Sequence, residues 1–320
     1  MSKPKLLIAD SNLIKPWFTP YWEEFFDCES FDWTRTYNAN DGMVVMDDRY
    51  DQDKYNQIKS QGLRVVRAYL MDSYVQDPCE LQGQDLILRA QDSIWIQESI
   101  MWKHWNYNTP RPPQTPDRFF LMLINQLRPH RKYLLEAVDS YLPDSLYTCV
   151  VRNILLPDDV YVPIDGRPGT SNDRYYVPRW YAETCFSMVS ETLGHSNRVT
   201  GNLLYISEKS FKPIAHSHPF VIQGTRGNLE YLHSRGFETF SHVIDESYDQ
   251  EPLLKNRIKK ILEILDSLYQ EFKLTGTVFQ DVRTKQILEH NYNLFFDSSK
   301  IRELFRDQIA QPIMEFIESR

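Results

Sequence analysis

Glycine is scarce in this chain, with 11 in 320 residues, and none of them forms a GxGxxG or a P-loop. GxSxG and HExxH are missing as well. The short signatures of dinucleotide binding, P-loop phosphate binding, serine hydrolysis and zinc proteolysis therefore offer no starting point. Cysteine is equally sparse. Cys28, Cys79, Cys149 and Cys185 are far apart and make no CxxC pair, which fits reduced thiols better than a disulfide framework or a zinc site. No run of 18 apolar residues occurs, so no helical membrane span is expected. The opening MSKPKLLIADSN has too short an apolar run for a signal peptide, and a cytoplasmic protein is expected. Positive charge is in deficit too. A net charge of −8 argues against a nonspecific nucleic-acid binder, although it leaves a local basic cleft open.

Hydrophobic residues make up 42% and charged residues 25%, the balance of a globular protein, and the length suits about two domains. The first half alternates short apolar runs with helical segments. Lys5–Ala9, Met43–Met46, Leu63–Tyr69 and Asp85–Arg89 read as strands, and Asp53–Gln61 and Ser93–Trp105 as helices. Strand–helix alternation marks a parallel α/β sheet. Asn108–Asp117 (NTPRPPQTPD) then places four prolines in ten residues, a stiff connector and the best domain boundary.

The second half repeats the pattern. Phe119–Ile124 (FFLMLI) is wholly apolar, as a strand buried on both faces should be, and Leu134, Leu135, Val138, Tyr141 and Leu142 form one apolar helical face. Leu146–Val151 and Cys185–Ser190 read as strands, while Leu156–Arg179 and Leu193–Leu203 read as loops. In Ile206–Gly224 (ISEKSFKPIAHSHPFVIQG), Ser207 is a suitable N-cap and Phe211, Ile214 and Ala215 share a helical face. Pro219 opens a buried strand, Phe220–Ile222. Helices are expected at Asn228–Arg235, Pro252–Lys273, Arg283–Phe295 and Ile301–Ile317. The expected architecture is α/β, with two Rossmann-like domains facing a cleft.

Ligands of open parallel sheets bind beyond the carboxyl ends of the strands. Asn125, Arg128, His130 and Arg131 follow the first strand of the second half, Glu191 and Thr192 follow the third, and Ser207, Glu208 and Lys209 open a helix. Cations can hold a diphosphate and carboxylates can accept hydrogen bonds from sugar hydroxyls, so the set suits a nucleotide-sugar. Polar residues stand at strand ends in every α/β protein, and a solvated Arg131 or a Glu191–Lys209 surface pair would account for the same residues. Lys209 stands out because a cation in a first helical turn opposes the helix dipole unless an anion sits there.

Four segments taken together resemble the C-terminal half of a GT-B-type glycosyltransferase, close to the fucosyltransferase-like group. They are FFLMLINQLRPHRKYLLEAV, WYAETCFSMVSET, ISEKSFKPIAHSHPFVIQG and NLEYLHSRGFETF, within about Phe119 to Asp249. They are also similar to uncharacterised phage-encoded proteins of that type. The resemblance implies an acceptor-side domain over residues 1–112, a nucleotide-sugar-binding domain over 113–300, and a final helix, 301–320, packing back on the first domain. It implies donor contacts through Glu208 to the ribose and Lys209 to the phosphates, with the basic residue after the first strand mapping to Arg128 or Arg131. Where the family continues with a Leu- and Gly-containing segment, this chain has His216 and His218. Base and sugar specificity therefore do not carry over, and the first domain shows no matching motif.

The expected activity is transfer of a sugar from a nucleoside-diphosphate sugar to an unidentified hydroxyl acceptor, with no cofactor and no essential metal. The alternatives are a non-catalytic nucleotide-sugar-binding protein of the same fold and a phage DNA-modifying glycosyltransferase; a phage origin would place the protein in the host cytoplasm. A catalytic base is expected at the end of a first-domain strand, where Asp10, Asp47, Asp48 and Asp92 qualify; Asp48 is the first choice and Asp10 the second. Asp51-Gln52-Asp53 has the DxD form that binds metal in glycosyltransferases of the other major fold, but acids also commonly open helices. His216 and His218 have no evident third ligand. Gly224–Gly227 can be a phosphate loop or a plain turn, and Trp95–Tyr107 can stack an acceptor or pack a core.

Overall fold

The computed structural model describes residues 3–9, 15–38, 41–47, 52–69, 73–74, 79–82, 85–104, 116–149, 152, 154, 156, 178–194 and 204–319. The chain is mixed α/β and divides into two compact units, one of Met1–Asn106 with Phe296–Arg320 and one of Tyr107–Phe295. Asp10, Asp48 and Asp51, and the prolines at 110, 112 and 113, lie outside the described residues.

The first unit runs β1 (Lys5–Ile8), α1 (Thr19–Phe25), β2 (Asp27–Ser30), β3 (Met43–Asp47), α2 (Gln52–Ser60), β4 (Arg64–Tyr69), β5 (Ser73–Tyr74), β6 (Cys79–Gln82), β7 (Asp85–Arg89) and α3 (Ser93–His104). Its six-stranded sheet has the order β2-β1-β3-β4-β7-β6 and is parallel apart from β6, which runs antiparallel to β7. The central strands are apolar because both their faces are covered: Leu6, Leu7, Val44, Val45, Val65 and Val66 are buried. The chain leaves β1 for β2 on one side and then crosses to β3 on the other. The switch point of the sheet is therefore at the carboxyl ends of β1 and β3.

The second unit runs β8 (Arg118–Ile124), α4 (Pro129–Ala137), β9 (Leu146–Cys149), α5 (Pro178–Glu183), β10 (Thr184–Ser190), β11 (Tyr205–Ile206), α6 (Glu208–Ala215), β12 (Phe220–Gln223), α7 (Asn228–Ser234), α8 (Leu254–Thr275) and α9 (Val282–Phe295). Four parallel strands form its sheet in the order β12-β10-β8-β9. Every residue of β10 is buried. The chain leaves β8 for β9 on one side and returns to β10 on the other, which puts this switch point between β8 and β10.

Two last helices, α10 (Ser298–Phe305) and α11 (Gln311–Glu318), belong to the first unit. The span expected as a helix, Ile301–Ile317, is helical throughout, with a π-helical turn at Arg306–Ala310 between α10 and α11. Pro312, in the first turn of α11, has no N–H to continue an α-helical ladder, and a π-turn absorbs the mismatch. Pro143 similarly converts the end of the expected helix after β8 into a separate 3₁₀ segment, Asp139–Asp144.

Candidate functional site

A pocket partly open to solvent lies over the β8/β10 switch point. Leu121 and Leu123 of β8 and the Ser187–Ser190 stretch of β10 form its floor, Tyr181 of α5 one wall, and Lys209, Lys212 and Pro213 of α6 the other. Leu121 and Ser187 are register partners, so with side chains alternating along each strand they present the same face of the sheet.

Helix α6 is placed by Glu191. This side chain is fully buried just beyond β10. One of its oxygens, Oε1, accepts from the Ser207 amide at 3.0 Å and the Ser210 hydroxyl at 2.6 Å. The other, Oε2, accepts from the Ser207 hydroxyl at 2.5 Å and the Thr192 amide at 3.0 Å. Ser207 Oγ in turn accepts from the Lys209 amide at 3.3 Å, the N-cap bond expected of it. Glu191 therefore acts on the pocket by fixing the start of α6 to the end of the sheet.

Arg131, expected to bind phosphate, is buried and donates to the carbonyls of Gln126 (3.1 Å), Ser190 (3.3 Å) and Glu191 (3.2 and 3.1 Å). The buried His130 ring also bonds the Glu191 carbonyl, at 3.0 Å through Nε2. Arg128 stands at the N-cap of α4 and donates to the Thr192 carbonyl at 3.2 Å. Asn125 follows β8 and is half-buried. Of the residues named from sequence for the donor, Lys209 is the one in the pocket wall.

Lys209 Nζ is paired with the Glu208 carboxylate. Burial alone would raise the Glu208 carboxyl, but the Lys209 and Lys212 cations outweigh it and hold it below its ordinary value. Lys212 was not anticipated. Its signal was available in the spacing, since residues three apart share a helix face and Lys212 stands three beyond Lys209. The pocket thus combines two lysines, one of them paired with the neighbouring Glu208, with an apolar floor, an arrangement able to hold an anionic group beside a ring or other apolar body.

The remaining candidates have structural neighbours. His216 stacks on Tyr181 with centroids 3.9 Å apart, and His218 bonds Ser187 and Thr184. Among the described residues no cluster of three or more metal-ligating side chains occurs. Gly227 has a φ of 87° at the start of α7, where the Leu229 and Glu230 amides donate to Asp249 at 3.1 and 3.4 Å. Trp95 and Trp102 are buried in the first unit. Asp92, also buried there, accepts from the Gln308 amide at 2.5 Å. β1 and β3, which lead to Asp10 and Asp48, are neighbours at that unit's switch point, while the two acids lie outside the described residues, as does the Asp47 side chain.

The chain matches no protein-family model, no curated protein and no solved structure. No helix among the described residues is long and apolar enough to cross a membrane.

Proposed function

We propose that the protein is a glycosyltransferase of GT-B type that draws its sugar from a nucleoside-diphosphate sugar held on the second unit. The observation that carries this reading is the pocket over the β8/β10 switch point with Lys209 and Lys212 in one wall. It is where open α/β sheets bind ligands, and its two lysines suit the phosphates of a nucleotide. The residues that build it lie in the segments that resemble the fucosyltransferase-like group.

In this reading the diphosphate displaces Glu208 from Lys209, and both ammonium groups stabilise the negative charge that grows on the leaving diphosphate as the anomeric bond breaks. The freed Glu208 carboxylate accepts hydrogen bonds from the ribose hydroxyls. Arg131 and Glu191 act one step back, by holding the strand end and the start of α6. The acceptor hydroxyl gives its proton to a carboxylate of the first unit, assigned to Asp48 first and Asp10 second.

The test is a thermal-shift series with UDP-, GDP-, ADP- and CMP-linked sugars, since a ligand of the folded state raises the melting temperature by mass action. At least one should raise it in a concentration-dependent way and do so equally in EDTA. Lys209→Ala and Lys212→Ala should each weaken that binding by roughly 1.5–3 kcal/mol, the scale of a charge-assisted hydrogen bond. Unchanged affinity in both folded variants removes the donor assignment. Binding without donor hydrolysis or transfer leaves a nucleotide-sugar-binding protein.

A further inference from the structure

In the pocket floor, Ser187 sits beside Leu121, and its hydroxyl is engaged by a chain of contacts through His218 to Thr184. His218 is fully buried, with Nε2 2.8 Å from the Thr184 carbonyl oxygen and 3.3 Å from Thr184 Oγ1. A carbonyl can only accept, and the Thr184 hydroxyl already gives its proton to the Trp180 carbonyl at 2.7 Å. The hydrogen must therefore be on His218 Nε2. In the neutral ring Nδ1 is then the acceptor, and the group facing it at 2.9 Å is Ser187 Oγ. The Ser187 proton points at His218, and the oxygen has only lone pairs left for the pocket. No other hydrogen bond to Ser187 Oγ occurs among the described residues.

We infer that the pocket recognises a phosphorylated ligand that brings an N–H or O–H donor to Ser187, with His218 as the positioning residue that fixes the serine proton. The inference rests on the donor-pocket reading above and narrows it. One wall takes the anion through Lys209 and Lys212, while the floor takes a hydrogen-bond donor beside the apolar surface of Leu121 and Leu123. A nucleotide has both features: its phosphates suit the first, and a ring N–H or a ribose hydroxyl suits the second. Inorganic pyrophosphate has only the anion, and a second phosphate or a carbonyl placed at Ser187 would meet lone pairs with lone pairs.

Calorimetric titration separates the two layers of the argument. The probes are inorganic pyrophosphate and uridine and guanosine diphosphates, each nucleotide also with its ring N–H methylated and with its ribose hydroxyls methylated. Ser187→Ala should weaken the unmodified nucleotide about 3- to 10-fold, the effect of one hydrogen bond, and leave pyrophosphate unchanged. One of the methylations should cost the wild-type protein the same factor and cost Ser187→Ala nothing more, as the double-mutant logic requires. Equal nucleotide affinity in Ser187→Ala, an equal loss for pyrophosphate, or a methylation penalty that persists in the variant overturns the inference and leaves the anion site standing. If Ser187→Ala does not fold, the methylated nucleotides decide on the wild-type protein alone, and no penalty from either overturns it. Wild-type protein that binds neither pyrophosphate nor nucleotide removes the anion pocket, and both readings fall. Labelling of Ser187 by a fluorophosphonate overturns the inference in another way, by making the serine a nucleophile.

Discussion

Replacing Glu191 by glutamine keeps the shape of the side chain and changes one oxygen into an NH₂. Each carboxylate oxygen faces one backbone N–H, Oε1 that of Ser207 and Oε2 that of Thr192, both at 3.0 Å. The hydroxyls of Ser207 and Ser210 can rotate to become acceptors, but the two amides cannot. Whichever way the glutamine amide is turned, one buried N–H meets another donor. The loss is one charge-assisted hydrogen bond, about 1.5–3 kcal/mol, plus part of the cost of an unsatisfied donor, so about 2–4 kcal/mol in all. Native-state amide exchange is the suitable assay, because two compact units need not unfold in one step. At about 1.4 kcal/mol per factor of ten, the Ser207 or Thr192 amide should exchange roughly 30- to 700-fold faster in Glu191→Gln. The Leu229 and Glu230 amides, held by Asp249, should not change. Unaltered exchange at both Ser207 and Thr192, together with lost nucleotide affinity, would refute this reasoning and return Glu191 to direct ligand contact.

A β-carbon on Gly194 would lie 2.6 Å from the His130 ring and 2.7 Å from Gln223 Nε2, so Gly194→Ala should destabilise the protein by about 1–3 kcal/mol, read as a lowered denaturation midpoint. Asp281 accepts from the Thr284 amide at 2.9 Å at the start of α9, and Asp281→Ala should cost about 1 kcal/mol, discounted because the carboxylate is well exposed. Slight burial raises the Asp281 carboxyl, but the Thr284 hydrogen bonds and the His242 imidazole bring it down from 3.8 to about 2. A depressed acid stabilises the fold above its unfolded value, so this contribution should be complete above about pH 4 and disappear as pH falls from there towards 2, with Asp281→Ala showing no such loss. For the proposed transfer, Asp48→Asn should lower turnover by about two orders of magnitude with donor affinity kept; near-normal turnover there and in Asp10→Asn removes the proposed base.

The buried strands were legible from their apolar runs: Phe119–Ile124 and the Leu86–Leu88 centre of Asp85–Arg89 put both strands within one residue of their observed ends. β2 was not legible. Its sequence DCES has no apolar alternation because it is an edge strand with largely exposed side chains, held by backbone pairing to β1. Helix α1 was missed for a related reason, since only Trp22 of its seven residues is buried and the apolar period is too short to register. At the pocket, the residue types were legible and their duties were not. A sequence shows that Arg131 and Glu191 follow strands, but the carbonyls and hydroxyls that occupy them come from residues up to 60 positions away. The spacing puts Lys209 and Lys212 on one helix face, but that this face lines a pocket over β10 is set by tertiary packing. The Ser187 contact with His218 depends on a strand start 31 residues further on, which no local pattern reports.

Phe305 packs on Phe18, Tyr21, Trp22 and Phe25 with ring centroids 5.2–6.0 Å apart, and the Arg64 guanidinium lies 3.8 Å over the Phe316 ring. The first unit is therefore closed by residues made some 200 positions after its sheet. At roughly 5–20 residues per second, synthesis leaves that sheet waiting on the order of ten seconds or more for its own lid. The second unit is contiguous and complete in sequence before the lid emerges. During this interval the aromatic face around Trp22 lacks its Phe305 cover. A stop introduced after Phe295 would leave that surface bare for good, so such a truncated protein should aggregate through its first unit while its second unit still melts cooperatively.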